Sequence, residues 1–169
     1  DVLHKFKIHP ELEKSAPLAT NSSYDWLGET AVVTHVLKES TDGRGGELPP
    51  IPGVSVDVQE LGVAAHLFPN TNFMYWRDQI VLFVCDPRAP ALTTERFLIY
   101  FAEEALEVEY KEGRQRVFDA WKHLNQQDIP PLEWMQQGRH ARNFDGGSFS
   151  PYWDPQIVTY LEKLKLATH

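Results

Sequence analysis

The sequence predicts an α+β fold, in which an antiparallel sheet is followed by helices packed on one face of that sheet. Two observations support this prediction. Short strand-like segments occupy most of the first part of the chain, and helical periodicity replaces them near its end. The connections are short, such as Pro69-Asn70 and Arg77-Asp78. Since parallel strands need crossovers of about a dozen residues, these connections indicate antiparallel neighbours.

The predicted strands are rich in β-branched and aromatic residues. They cover 30–37, 54–61, 63–68, 71–76, 78–85 and 94–102. We expect an irregular segment at 11–29 and, from the composition of "TDGRGGELPPIPG", a flexible loop at 41–53. Residues 1–9 can hold two helical turns, which Pro10 would end because the residue before a proline is disfavoured in the α region.

Apolar residues take up a helical period after the last predicted strand. Val117, Trp121 and Leu124 recur at i, i+4 and i+7, which predicts an amphipathic helix over 114–127. The "DIPP" segment predicts a break, followed by a second helix over 132–141 and a last one over 154–166. No internal repeat and no second core is evident, so we expect a single domain over residues 1–169.

Composition excludes several classes of protein. The net charge is −8 and no basic stripe is present, which argues against a nucleic-acid partner. The sequence contains no apolar run long enough to predict a membrane span. Its first residues lack the pattern of a signal peptide. Cys85 is the single cysteine, which excludes an internal disulfide or a cysteine-built cluster and favours a cytoplasmic location. The start without Met, inside a patterned segment, suggests a piece of a longer chain.

His4 and His9 are candidate metal ligands. Residues five apart do not share one face of a regular helix, but a helix that ends at His9 would let the second imidazole turn toward the first. Neutral imidazoles suit iron, zinc or copper, so the pair does not select a metal. The alternative is two surface histidines, and these residues alone favour that alternative.

Two carboxylates could complete such a site. Asp1 lies three residues before His4 and could accept the second N–H of a ligand histidine, or could simply stabilise a helix N-terminus. Asp128 precedes two prolines, where it is either a helix N-cap or a carboxylate held at a rigid junction. When Asp128 is considered by itself, the N-cap interpretation is favoured. Two histidines and one carboxylate together would form the facial triad of non-heme Fe(II) oxygenases.

Four segments, in order along nearly the whole chain, resemble the C-terminal catalytic domain of the α subunit of Rieske-type ring-hydroxylating oxygenases. "DVLHKFKIHPEL" is similar to that family's D-x-Y-H-x4-H-P ligand segment, and "NQQDIPPLEWMQQGRHA" to the segment that carries its third iron ligand. "HLFPNTNFMYWRDQIVLFVCDPRAP" resembles the family's Phe-Pro-Asn turn and strand, and "GGSFSPYWDPQIVTYLEKL" its closing helix. Leu3 stands where the family has Tyr, and Pro130 and Pro131 are unusual after the Asp.

The resemblance implies a helix-grip (START-like) fold, a curved antiparallel sheet packed around C-terminal helices. It implies mononuclear Fe(II) held by His4, His9 and Asp128, with Asp1 orienting a ligand histidine and relaying electrons. The implied reaction is O₂-dependent hydroxylation, by dioxygenation or by monooxygenation or demethylation, of an aromatic or other small organic substrate. Aromatic hydrocarbon catabolism is the associated process.

The same resemblance places a [2Fe-2S] Rieske cluster only in a preceding domain, which would explain the lack of a cysteine-histidine motif here. The implied partners are a Rieske domain of the same or a neighbouring subunit, a ferredoxin or reductase, and further copies in a trimer. We expect Trp121 and Leu124 to wall the substrate pocket.

Two alternatives remain open at this stage. One is a non-enzymatic helix-grip module that binds an apolar ligand, with incidental histidines. The other is a zinc hydrolase that uses two histidines and one carboxylate. His35 and His66 are expected to line the core or a pocket, and His123 to be solvated. Trp134, like Trp121, flanks Asp128 and is expected in a pocket wall or the core. The "GRGG" at 43–46 lacks the Lys of a phosphate loop.

Overall fold

Six strands form one antiparallel sheet in a computed structural model that describes residues 7–12, 23–28, 30–36, 47–53, 61–152 and 154–168. The strand order follows the chain, so each strand pairs with its sequence neighbour. The strands are β1 (Ser23–Leu27), β2 (Thr30–Val36), β3 (Leu61–Leu67), β4 (Thr71–Trp76), β5 (Gln79–Ala89) and β6 (Leu92–Phe101). A cis peptide bond joins Phe68 and Pro69 in the turn between β3 and β4.

Two helices follow the sheet. Short 3₁₀ turns at Glu104–Leu106 and Val108–Tyr110 lead into α1 (Lys111–Gly138), and α2 (Pro155–Ala167) comes near the end of the chain. In the described part of the chain no helix is long and apolar enough to cross a membrane.

Both helices pack on the same face of the sheet. The strand register aligns one row of residues across it, Trp26, Ala31, His66, Asn72, Phe83 and Phe97. Directly opposed residues in antiparallel strands share a face. At one end of this row the Phe97 ring lies 6.3 Å from that of Trp121 in α1, and in the middle His66 meets Tyr160 of α2 at 5.0 Å. The α+β, helix-on-one-face prediction is therefore confirmed.

The core lies between α1 and the sheet. Val117, Trp121 and Leu124 are buried on α1 against Val81 of β5 and its neighbours. Leu48 joins this core, and its side chain lies so close to Gly113 that a Cβ there would come within 2.6 Å. Part of the segment predicted as a flexible loop therefore belongs to the core, because a leucine anchors it.

Most predicted strands are confirmed within a few residues, and β4 is confirmed at both ends. The predicted strand at 54–61 lies outside the described residues except for Leu61, which begins β3. The prediction of irregular structure over 11–29 is wrong for Ser23–Leu27, which forms β1. Its polar residues carry a weak strand signal, and its order comes from pairing with β2.

The predicted break at "DIPP" is wrong, because α1 continues through Pro130 and Pro131. Proline in a helix interior costs about 3 kcal/mol, which disfavours the helix but does not forbid it. The turns before the prolines are fixed by core packing, so the chain enters them already helical. Asp128 is consequently an interior helix residue, and the N-cap interpretation is also wrong.

Candidate metal centre

His9 is a buried histidine near the start of the described chain. The residue is 4% exposed, and the next turn is closed by a hydrogen bond from the Leu12 amide to the His9 carbonyl at 3.0 Å. Leu12 itself is buried in the core, so it anchors this segment beside the sheet and α1. The Nε2 atom of His9 lies 2.9 Å from Oδ1 of Asp128. Two of the predicted ligands, remote in sequence, therefore meet.

Asp128 reaches His9 because of its place on α1. It follows Leu124 by about one helical turn, on the stripe that packs against the sheet. Its side chain is 34% exposed, so the carboxylate lies where the buried stripe begins to open to solvent.

Gln127 holds the other nitrogen of the His9 ring. His9 Nδ1 lies 2.6 Å from Gln127 Oε1, and an amide oxygen is only an acceptor. Nδ1 therefore donates, and in a neutral ring Nε2 presents its lone pair toward Asp128. The Gln127 amide nitrogen lies 3.2 Å from Nε2 of His123, which is 3.8 Å from a carboxylate oxygen of Glu11. The prediction that His123 is solvated is confirmed, since its side chain is 66% exposed.

The pair fits a metal site. His9 Nε2 and Asp128 Oδ1 lie 2.9 Å apart, a separation that suits either a direct hydrogen bond or two ligands of one cation. A proton on Nε2 would give a charge-assisted hydrogen bond. A divalent metal with bonds of about 2.1 Å to each atom at right angles would hold them about 3.0 Å apart. Imidazole nitrogen and carboxylate oxygen are both ligands of ferrous iron in proteins.

Asp1 and His4 lie outside the described residues, so their predicted roles are untested. Within the described part of the chain, no three or more His, Cys, Asp or Glu side chains form a group that could hold a metal. Two of the three predicted ligands, His9 and Asp128, are therefore in contact, and the third, His4, lies outside the described residues.

Trp121 and Leu124 are core residues in this structure. The two residues are 5% and 8% exposed, and the Trp121 indole donates to the buried Gln79 amide oxygen at 3.0 Å. The Trp121 ring also contacts Trp76. Whether they also wall a substrate pocket stays a prediction. Trp134, expected in a pocket wall or the core, is 66% exposed, so that expectation is wrong.

Other chemically capable side chains have separate surroundings. His66 shares a hydrogen bond of 2.9 Å between its Nδ1 and Asn72 Oδ1, and it packs edge-on against Tyr160. The prediction that it is a core or pocket residue is confirmed. Burial, with the carboxylates of Glu95 and Asp86, raises the pKa of the Cys85 thiol. This shift disfavours the thiolate, which is the form of cysteine that binds metals.

Gln127 is the site residue that sequence reasoning missed. Its role depends on helix continuity at Asp128, which the two prolines concealed. The signal was its position directly before a candidate ligand.

An antiparallel sheet that carries both helices on one face, with a histidine and a carboxylate meeting beside it, defines an α+β helix-grip domain with a candidate metal centre. Residues 1–163 match the family model described as the ring-hydroxylating alpha subunit, catalytic domain. The chain belongs to this family, and the resemblance noted in the sequence is confirmed. The comparison with curated proteins found no significant match.

Proposed function

We propose that this chain is the mononuclear-iron domain of a Rieske-type non-heme iron oxygenase. The family is that of ring-hydroxylating oxygenases, which use iron, O₂ and small organic substrates. The observation that carries the proposal for this chain is the contact between His9 and Asp128. A buried imidazole and a partly buried carboxylate converge there, as they would to hold iron.

His9 Nε2, Asp128 Oδ1 and His4 would hold Fe(II), and the bound iron would supply O₂ activation at its open positions. Gln127 keeps the proton of His9 on Nδ1, so that Nε2 is available as a ligand. Burial of His9 against the core excludes water from one side of the site. Asp1 would orient a ligand histidine and relay electrons.

The reaction we propose is O₂-dependent hydroxylation of an aromatic or other small organic substrate. Either both oxygen atoms enter the substrate, or one enters and the other leaves as water. Electrons would come from a [2Fe-2S] Rieske domain of the same or a neighbouring subunit, reduced by a ferredoxin or reductase. We further propose that residues 1–169 form a single catalytic domain of a longer chain. That chain would be cytoplasmic and would form a trimer. Trp121 and Leu124 are the proposed pocket walls.

Anaerobic reconstitution with Fe(II), followed by measurement of iron per chain, tests this function. We expect about one iron per chain, and its loss in His9→Ala and Asp128→Asn. His140→Ala and Asp145→Asn are matched controls, because both residues are exposed and belong to the segment after α1. They should retain the iron.

The two alternatives give different results in the same preparation. A binding module would take up no iron in any variant, yet would bind an apolar ligand. A zinc hydrolase would turn over substrate without O₂ or reductant. Either result would contradict the oxygenase proposal.

A further inference from the structure

His123 is an exposed residue of α1 that makes a specific contact with Gln127. It lies four residues before Gln127 in a helix that is continuous past both, so the two side chains are neighbours on one face of α1. The Gln127 amide nitrogen lies 3.2 Å from Nε2 of the His123 ring. An amide nitrogen only donates, so His123 Nε2 accepts this hydrogen bond through its lone pair. His123 therefore holds the nitrogen end of the Gln127 amide.

The Gln127 amide lies between two histidines and bonds each of them with a different end. Its oxygen lies 2.6 Å from His9 Nδ1, and its nitrogen faces His123. A carboxamide that is turned over keeps its shape but exchanges its donor for its acceptor. In that reversed orientation the amide nitrogen would face His9 Nδ1, which would then have to accept a hydrogen bond.

The orientation of this amide determines where the His9 ring carries its proton. With the Gln127 oxygen toward His9, Nδ1 keeps its proton, and Nε2 keeps the lone pair that a metal would bind beside Asp128. With the amide reversed, the proton of a neutral His9 ring would be on Nε2. A neutral imidazole can donate or accept at either nitrogen, so His9 alone does not select one orientation. The contact at the other end of the amide, with His123, does.

Glu11 adds a negative charge on the same side of the amide. One oxygen of its carboxylate lies 3.8 Å from His123 Nε2, which is beyond hydrogen-bonding distance. That oxygen is buried and has no hydrogen-bond partner in the part of the chain that the structure describes. A carboxylate attracts the N–H end of a nearby amide and repels its oxygen. The charge of Glu11 therefore favours the same orientation of Gln127 as the lone pair of His123.

We propose that His123 is a positioning residue for the candidate metal centre. Its Nε2 lone pair would fix the orientation of the Gln127 amide, and the amide oxygen would in turn keep a proton on His9 Nδ1. The placement of this proton is a property of the metal-free chain. Its consequence for Fe(II) affinity rests on the proposed function.

Two substitutions with opposite hydrogen-bonding capacity test the proposal. His123→Gln keeps an acceptor for the Gln127 amide nitrogen, whereas His123→Lys offers only donors and would turn the Gln127 oxygen toward itself. Both new residues are good helix formers at an exposed position, so we expect folded chains, which circular dichroism verifies. The ¹⁵N shifts of the imidazoles in the metal-free chain, at about pH 8, where an ordinary imidazole is neutral, report which nitrogens carry protons.

We expect the wild-type chain to carry a proton on His9 Nδ1 and none on His123 Nε2. The proton on His9 Nδ1 should remain in His123→Gln and be absent in His123→Lys. Fe(II) affinity, measured anaerobically by competition with a chelator, should fall about 10- to 100-fold in His123→Lys and be retained in His123→Gln. His140→Lys makes the same change at an exposed histidine after α1 and is the matched control, which should alter neither measurement.

Three results would overturn the proposal. They are a proton on His123 Nε2 in the wild-type chain, a proton that remains on His9 Nδ1 in folded His123→Lys, and an equal loss of Fe(II) affinity in the two His123 variants. A wild-type chain that binds no iron would contradict the proposed function instead. The proton positions are read without metal, so they would still decide whether His123 orients Gln127.

Discussion

His9 is the residue on which the candidate centre depends, because both of its ring nitrogens have a defined partner. Nδ1 meets Gln127 and Nε2 meets Asp128. Consecutive residues of one helix thus fix the tautomer of the imidazole and the position of its ligating nitrogen. Support of this kind commonly orients metal ligands in proteins.

Gln127→Leu removes the acceptor for the His9 Nδ1 proton while keeping a side chain of similar size. We expect Fe(II) affinity to fall about 10- to 100-fold, the usual effect of losing such a partner. Competition with a chelator under anaerobic conditions measures it. The ¹⁵N shifts of His9 in the metal-free chain should show loss of the Nδ1–H tautomer. Gln126→Leu, at an exposed neighbouring position, is the control. Unchanged affinity and tautomer in Gln127→Leu would show that Gln127 has no orienting role.

For single residues, the sequence identified the histidines and aspartates as candidate metal ligands. It did not decide between that role and the structural alternatives. His4 and His9 by themselves favoured two surface histidines, and Asp128 by itself favoured an N-cap. The resemblance to a family, carried by ordered motifs, chose between these alternatives. Gln127 was not found, because its position directly before a candidate ligand does not show which way its side chain points.

The α1 helix is the element that brings the site to the core. Its buried stripe packs on the sheet, and the same stripe carries Asp128 to His9. Periodicity was enough to predict the first half of this helix. It failed at the prolines, because local preference was weighed without the packing that holds the preceding turns.

Pro130→Ala tests whether α1 is continuous. An interior proline costs about 3 kcal/mol relative to alanine, so the substitution should raise the free energy of unfolding by up to about 3 kcal/mol. Urea denaturation measures the change. If the helix instead began at Asp128, a proline in its first turn would be well tolerated. The substitution would then leave stability unchanged or lower it.

Trp121→Phe tests how α1 is attached to the sheet. The indole N–H donates to Gln79 at 3.0 Å, and both side chains are buried. Loss of this donor should lower the free energy of unfolding by about 1–3 kcal/mol. Trp134→Phe is a matched control at a 66% exposed position and should change it by less than about 0.5 kcal/mol. Equal effects of the two substitutions in urea denaturation would contradict this account of the core.

For the whole molecule, the sequence was sufficient to predict an antiparallel sheet followed by helices on one face. Short turns and the change of period are local signals, and they were enough. The sequence did not predict β1, whose order comes from its neighbour β2. Nor did it predict that Leu48 anchors a glycine- and proline-rich segment in the core, since burial at such a position depends on contacts with distant residues.

The fold of the whole molecule brings His9, near the start of the chain, into contact with Asp128 on α1. Iron that bridges His9 and Asp128 would tie the start of the described chain to α1. Metal that binds only the folded state stabilises that state. Anaerobic Fe(II) in excess should therefore raise the midpoint of thermal unfolding of the wild-type chain. The same Fe(II) should leave the midpoint of thermal unfolding of the His9→Ala variant unchanged.

An anomalous difference map at the iron absorption edge, from crystals grown anaerobically with Fe(II), tests the central claim most directly. We expect one peak within about 2.0–2.3 Å of both His9 Nε2 and Asp128 Oδ1, with a further ligand to the same atom. A map without density there, in which these two atoms remain in direct contact while iron is absent or bound elsewhere, would contradict the assignment of this pair as metal ligands.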